Sequence, residues 1–147
     1  MKAGKIEKYK GLEMSEEAVN LLYSDPKKFA SYCNGVGSQV GWLGKLTYHI
    51  IPNTIWFLNI TAASDIHDVE YSVPASFESI AAAEKAFDEA NLRLYKNICI
   101  LIDRKGRSGW LYLARMHRAG LYYDMVSSDA GWTSFVAGKT IAGVVHA

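Results

Sequence analysis

The segment Ser64-Asp65-Ile66-His67-Asp68-Val69-Glu70-Tyr71 concentrates groups that can move protons. On a helix, His67 and Tyr71 stand four residues apart and share a face, whereas Asp68 points about 100° away round the axis. Two directions imply two tasks. His67 and Tyr71 can both hydrogen-bond a carboxylate on a packed neighbouring helix. Such a carboxylate fixes the imidazole tautomer and leaves the other ring nitrogen to take a proton from water. Glu84 is the first candidate, because it falls in an apolar stripe of Phe77, Ile80, Glu84, Phe87, Asn91, Leu94 and Ile98, where an unpaired buried charge is costly. The same position also suits a glutamate at the stripe's edge whose head reaches water. Asp88, one turn on, is the second candidate partner. Asp68 invites a hard cation. Calcium takes carboxylate and backbone carbonyl oxygens, and the glycines of Cys33-Asn34-Gly35-Val36-Gly37 let carbonyls turn inward. Gly35 and Gly37 fit equally well the end of a helix and a turn, and spacing alone leaves both open.

These groups need elements to hold them. Ser15 caps a short helix whose first turn carries Glu16 and Glu17 and which ends at Tyr23. Asp25-Pro26 starts a second, with Phe29, Tyr32 and Cys33 as its apolar stripe and Asn34-Gly35 as its stop. From Asn34 to Asn59, glycines among aromatic residues predict a long structured loop. Thr61 caps a helix to about Tyr71, closed by Pro74. A long helix is predicted from about Ser76 to Ile102. Arg104-Lys105-Gly106-Arg107 breaks it, and a further helix runs from Trp110 to about Met125.

With these elements in place, Ser64–Tyr71 resembles the C-x-x-H-D-x-x-Y active-site helix of phospholipase A2, with Ser64 at the cysteine position. Asn34-Gly35-Val36-Gly37 resembles the C-G-x-G of that family's calcium loop, and the order along the chain agrees. In the family a second long helix carries the aspartate that orients the histidine, in bacterial and phage-type relatives within a D-x-x-F pattern. Glu84-Lys85-Ala86-Phe87 stands at that place, so the resemblance gives Glu84 the role the stripe gave it. The similarity spans roughly Tyr32 to Leu94 and is closest to the compact prokaryotic or phage-associated members. It implies a mainly α fold, with a core of two antiparallel long helices, a glycine-rich calcium-binding loop and additional helices. It also implies Ca2+ held by Asp68 and by backbone oxygens at Cys33, Gly35 and Gly37. His67 would be the general base and Tyr71 the anchor of the dyad carboxylate, in attack by water on the sn-2 ester of a glycerophospholipid at a membrane surface. Trp42, Leu43, Ile55, Trp56, Phe57 and Leu58 would line an acyl slot, meet the lipid surface, or pack a core.

Composition bounds the alternatives. The 147 residues, half of them hydrophobic and 21% charged, fit one compact domain over 1–147, with a polar leader over 1–14 and an unassigned Gly- and Ala-rich tail over 130–147. A net charge of +1 argues against a nucleic-acid partner held by a general positive field. Cys33 and Cys99 form no CxxC pattern and are expected to be reduced. The first twenty residues lack a secretory pattern, so the chain is expected to act where it is made or to leave by another route. A phosphohydrolase of the HD type would need a further metal-ligating histidine upstream, and His49 sits in an alternating, non-helical segment. Cys99 lies in an apolar run that suppresses thiol reactivity, and His117 and His146 have no acidic neighbour at ligand spacing. The rival from another class is a catalytically silent phospholipase-like protein, a binding or structural component of a phage particle or secretion assembly. In it Arg104, Lys105, Arg107, Arg115 and Arg118 would meet anionic lipid or an acidic partner.

Overall fold

The computed structural model describes residues 7–33 and 53–144. Those residues form a mainly helical structure with four short strands. Helices α1 (Glu16–Ser24) and α2 (Pro26–Cys33) come first, followed by a hairpin of β1 (Thr54–Ile55) and β2 (Leu58–Asn59). Helix α3 (Thr61–Ser72) leads into β3 (Ala75–Phe77), and the 26-residue α4 (Ile80–Lys105) turns back through α5 (Gly109–Val126) and α6 (Asp129–Val136) to β4 (Lys139–Ile141). Strands β3 and β4 pair in parallel, Ala75 opposite Lys139 and Phe77 opposite Ile141.

Helix α3 lies at the centre. Eight of its twelve residues are buried, and its faces feed three separate apolar clusters. Ala63 packs with Ile55, Leu58, Leu94, Ile98 and Val126. Ile66 and Val69 pack with Tyr9, Leu22, Phe29 and Tyr32, and Tyr71 packs with Phe87, Ala90 and Phe135. Along α4 the partners run backwards: Tyr71 meets Phe87, His67 meets Asn91, and Ala63 meets Leu94 and Ile98. The two helices are therefore antiparallel. Among the described residues no helix is long and apolar enough to cross a membrane.

Several boundaries differ from those predicted, each for a local reason. Ser15 caps α1 as expected, accepting from the Ala18 N–H. The long helix begins at Ile80, because Ser79 caps it through the Ala82 N–H and residues 75–77 are drawn into pairing with β4. Phe77 therefore does not share the helical phase. Thr61 is already helical, and the Asn59 carboxamide accepts its N–H instead. The end of the predicted loop closes as a hairpin, and the unassigned tail supplies α6 and β4. Residues 7–14 of the polar leader pack as a strap across α3 and α4. The Glu13 N–H donates to Asn97 Oδ1 at 2.7 Å, Asn97 Nδ2 donates back to Glu13 O at 2.8 Å, and Arg104 Nη2 reaches Lys10 O at 2.7 Å. Gly11, at φ +77°, makes room for that guanidinium, since a Cβ there would lie 2.7 Å from Arg104 Nη2.

Buried Lys139 secures the end of α3. Its ammonium donates to the carbonyls of Glu70, Tyr71 and Val73 at 3.1, 2.7 and 2.7 Å, filling acceptors that a helix C-terminus leaves unpaired. Burial pushes this ammonium down from 10.5 to about 8, so it is still charged at neutral pH. Lys139→Met keeps the aliphatic stem but strands those carbonyls. The expected loss is about 2–3 kcal/mol, a fall of roughly 5–10 °C in thermal midpoint by circular dichroism. An unchanged midpoint would show that the cap does not stabilise α3.

Candidate active site

His67 is 1% exposed and sits in the middle of α3, where the packing of α4 decides what it can meet. That partner is Asn91. The imidazole Nε2 lies 3.0 Å from Asn91 Oδ1, and the Tyr71 hydroxyl donates to the same oxygen at 2.7 Å. Asn91 Nδ2 donates to Val126 O at 3.2 Å, and the Tyr71 hydroxyl also lies 3.3 Å from that carbonyl. A backbone carbonyl can only accept, so it claims the NH2 end of the amide and turns Oδ1 towards His67. Oδ1 can only accept too, which fixes the proton on Nε2 and leaves Nδ1 as the lone-pair nitrogen. Nδ1 is buried and makes no hydrogen bond among the described residues. The His67 and Tyr71 rings lie 4.1 Å apart, so the two side chains hold one another in place.

Burial pushes the His67 ring from 6.5 down to about 4, and the Asn91 hydrogen bond opposes that only in part. The ring is neutral at physiological pH, the form a general base needs. Tyr71 is shifted far upward, chiefly by burial, and remains a hydroxyl donor.

Glu84 and Asp88, the two expected carboxylate partners, are both exposed. Neither bonds to His67, whose Nε2 is taken by Asn91. The buried face of α4 runs through Ala83, Phe87, Ala90, Asn91, Leu94 and Ile98, so Ala83 faces inward where Glu84 was expected. A stripe counted from Phe77 and Ile80 drifts off that face, because Phe77 is a strand residue and Ile80 is exposed. Asn91 stood in the predicted stripe as a polar residue between Phe87 and Leu94. Its position was the signal, since a buried carboxamide needs partners as much as a carboxylate does.

Asp68 is half-buried on a different face of α3, as the spacing requires. Burial, and then the nearby Asp65 carboxylate, push its carboxyl well above the usual range. Asp65 itself is covered, its Oδ2 taking Lys8 Nζ at 2.6 Å and the Tyr9 hydroxyl at 3.0 Å. Cys33 ends α2 beside this pair, its thiol 4.0 Å from Asp65 O and pushed up to about 12, first by burial and then by Asp65. It is a free thiol without nucleophilic character. Gly35 and Gly37, the other expected calcium ligands, lie outside the described residues, as do Trp42 and Leu43. Among the described residues no three His, Cys, Asp or Glu side chains converge as a metal-binding group.

Two further pieces hold the site. Gly131 in α6 packs so closely on the end of α5 that any Cβ would be driven into the Val126 carbonyl oxygen, the acceptor that orients Asn91. Glu70 accepts at Oε1 from Arg93 Nε at 2.6 Å and from the Ser15 N–H at 3.0 Å, tying α3 to α4 and α1. Burial raises the Glu70 carboxyl while Arg93 pulls it down. Arg115, offered by the sequence as an anion-binding residue, is buried and donates Nε and Nη2 to Trp56 O at 3.1 and 2.8 Å.

Comparison with protein-family models, curated proteins and solved structures returns no match for this chain.

The lowered ring makes the fold acid-sensitive. Below about pH 6.5 the unfolded state binds a proton on His67 that the folded state refuses until about pH 4. The His67 contribution to stability is therefore full above 6.5 and falls as pH drops from 6.5 to 4, by roughly 3 kcal/mol in all. Because the raised Asp68 and Glu70 carboxyls act in the opposite sense, the contribution is read as a difference: urea melts across that interval should show the parent losing stability relative to His67→Gln. Equal slopes for the two proteins would mean that the ring is not held neutral by burial.

Proposed function

We propose that this chain is a phospholipase A2-like, calcium-dependent hydrolase of glycerophospholipid esters, in which His67 takes the proton of the attacking water. One observation carries the proposal. A single oxygen, Asn91 Oδ1, holds both His67 Nε2 and the Tyr71 hydroxyl, while Asp68 follows His67 in sequence and faces elsewhere. That is the division of labour the H-D-x-x-Y spacing implies, with a carboxamide doing the orienting.

Nδ1 is the acceptor at which water would give up its proton, since Nε2–H is spent on Asn91. Asn91 and Tyr71 keep the ring's direction and tautomer through that step. The positive charge then on the ring meets an amide dipole instead of a carboxylate, so the developing imidazolium is less stabilised than in a His–carboxylate dyad. Asp68 fits a cation ligand by its chemistry. Burial and Asp65 disfavour its ionised form, and a bound cation would reverse that cost. Ca2+ bound there would polarise the ester carbonyl and offset charge on the oxyanion.

The neutral partner also favours a second proposal, a catalytically silent protein that keeps the site as structure. Release of fatty acid from mixed phospholipid vesicles separates the two. Hydrolysis predicts calcium-dependent release that chelator abolishes, lost in His67→Gln and lowered about 10²–10⁴-fold in Asn91→Leu, the usual worth of a positioned general base. No release at millimolar calcium, with His67→Gln indistinguishable from the parent, selects the silent protein.

A further inference from the structure

A cavity of about 80 Å³ lies where the end of α3 meets β3, α4, α6 and β4, and His67 is not among its walls. Space of that size takes about five to eight non-hydrogen atoms. Phe77, Ala86, Ala90 and Phe135 give the cavity an apolar side that offers water no hydrogen bonds.

Its polar side holds two unspent groups. Arg93 also lines the cavity; its Nε is committed to Glu70 Oε1 at 2.6 Å, but its terminal nitrogens make no hydrogen bond among the described residues, and its side chain is 20% exposed. Glu70 lines the cavity at only 7% exposure, and its Oε2 is buried with no hydrogen-bond partner among the described residues. A carboxylate oxygen in that state is costly until a donor meets it. Lys139 is a wall residue too, but its three protons go to the carbonyls of Glu70, Tyr71 and Val73, so it serves there as charge alone. With exposed Glu17, the lining balances two cations against two carboxylates.

We infer that this cavity binds a free α-amino acid with a small apolar side chain, its carboxylate on Arg93, its ammonium on Glu70 Oε2 and its side chain against Phe77 and Phe135. A guanidinium fork matches a carboxylate, and an unmet carboxylate oxygen matches an ammonium. Because Arg93 and Glu70 touch one another, the two poles of the ligand must also lie close together, as they do on one α-carbon. A plain carboxylate would leave Glu70 Oε2 unmet, and a plain amine would leave Arg93 unmet. The inference stands apart from the hydrolase proposal, since neither site needs the other.

Calorimetric titration of the full chain tests it, with L-valine as the probe and 3-methylbutanoate and 2-methylpropylamine as the same skeleton lacking one pole each. L-valine should bind with a dissociation constant of about 1 mM or tighter, and each single-pole compound about tenfold more weakly or worse. Ala86→Leu fills the cavity and leaves its polar groups in place. It should weaken L-valine about tenfold or more, with the unliganded thermal midpoint kept within a few degrees. Glu70→Gln keeps an oxygen for Arg93 and Ser15 but puts an NH2 where the unmet acceptor was. It should weaken L-valine by a similar factor and leave 3-methylbutanoate no weaker; if this variant does not fold, Ala86→Leu decides alone. Neither heat nor a raised thermal midpoint at about 20 mM L-valine overturns the inference. Equal affinity for L-valine and 3-methylbutanoate overturns it as well, and so does an Ala86→Leu protein that binds L-valine like its parent.

Discussion

Eight of the twelve residues of helix α3 are buried, and Asp65, His67 and Glu70 are among them. A buried polar group without a partner costs several kcal/mol, and no single neighbour can reach all three. The remainder of the fold follows from meeting that demand. The N-terminal strap brings Lys8 and Tyr9 to Asp65. Helix α4 brings Arg93 to Glu70 and Asn91 to His67, and the last strand returns Lys139 to the final carbonyls.

This arrangement explains why pieces distant in sequence are indispensable to a short motif. Val126 O takes the Asn91 amide only if α5 stops there and α6 turns tightly over it, which the bare Cα of Gly131 permits. The parallel pairing of β3 with β4 places Lys139 beside the helix it caps. Coupling of this kind runs through packed contacts, so a defect at the α5–α6 corner is transmitted to the His67 ring by way of one side chain.

What the sequence made legible was local. Ser15 as a cap, Pro26 as a first helical residue and the shared face of His67 and Tyr71 depend on neighbours within a turn or two, and each stands where the spacing put it. Glu84 failed because its assignment depended on helical phase, and phase depended on where α4 begins. Ser79 and the pairing of residues 75–77 with a strand 64 residues later fixed that start. Lys8 and Tyr9 read as a solvated leader because nothing local marks them as partners of a buried aspartate. Trp56 and Phe57 gave no turn signal, since bulky aromatics are disfavoured at positive φ and an arginine from α5 holds them there.

The amide at position 91 has a further consequence for how the site is built. A carboxylate there would offer His67 a charge but would face the Val126 carbonyl with an acceptor, leaving two oxygens in repulsive contact unless Tyr71 turned its hydroxyl to the carbonyl. The carboxamide satisfies three neighbours at once, accepting from His67 and Tyr71 and donating to Val126, with no buried charge to desolvate. The ring is thereby set in one tautomer and one direction by neutral groups alone, and its low proton affinity follows from the same absence of charge. The Asp68 face of the helix carries a half-buried carboxyl whose ionisation is resisted. Orientation and charge are thus divided between two faces of one helix, neutral groups setting the His67 ring on one and the Asp68 carboxyl standing near Asp65 on the other.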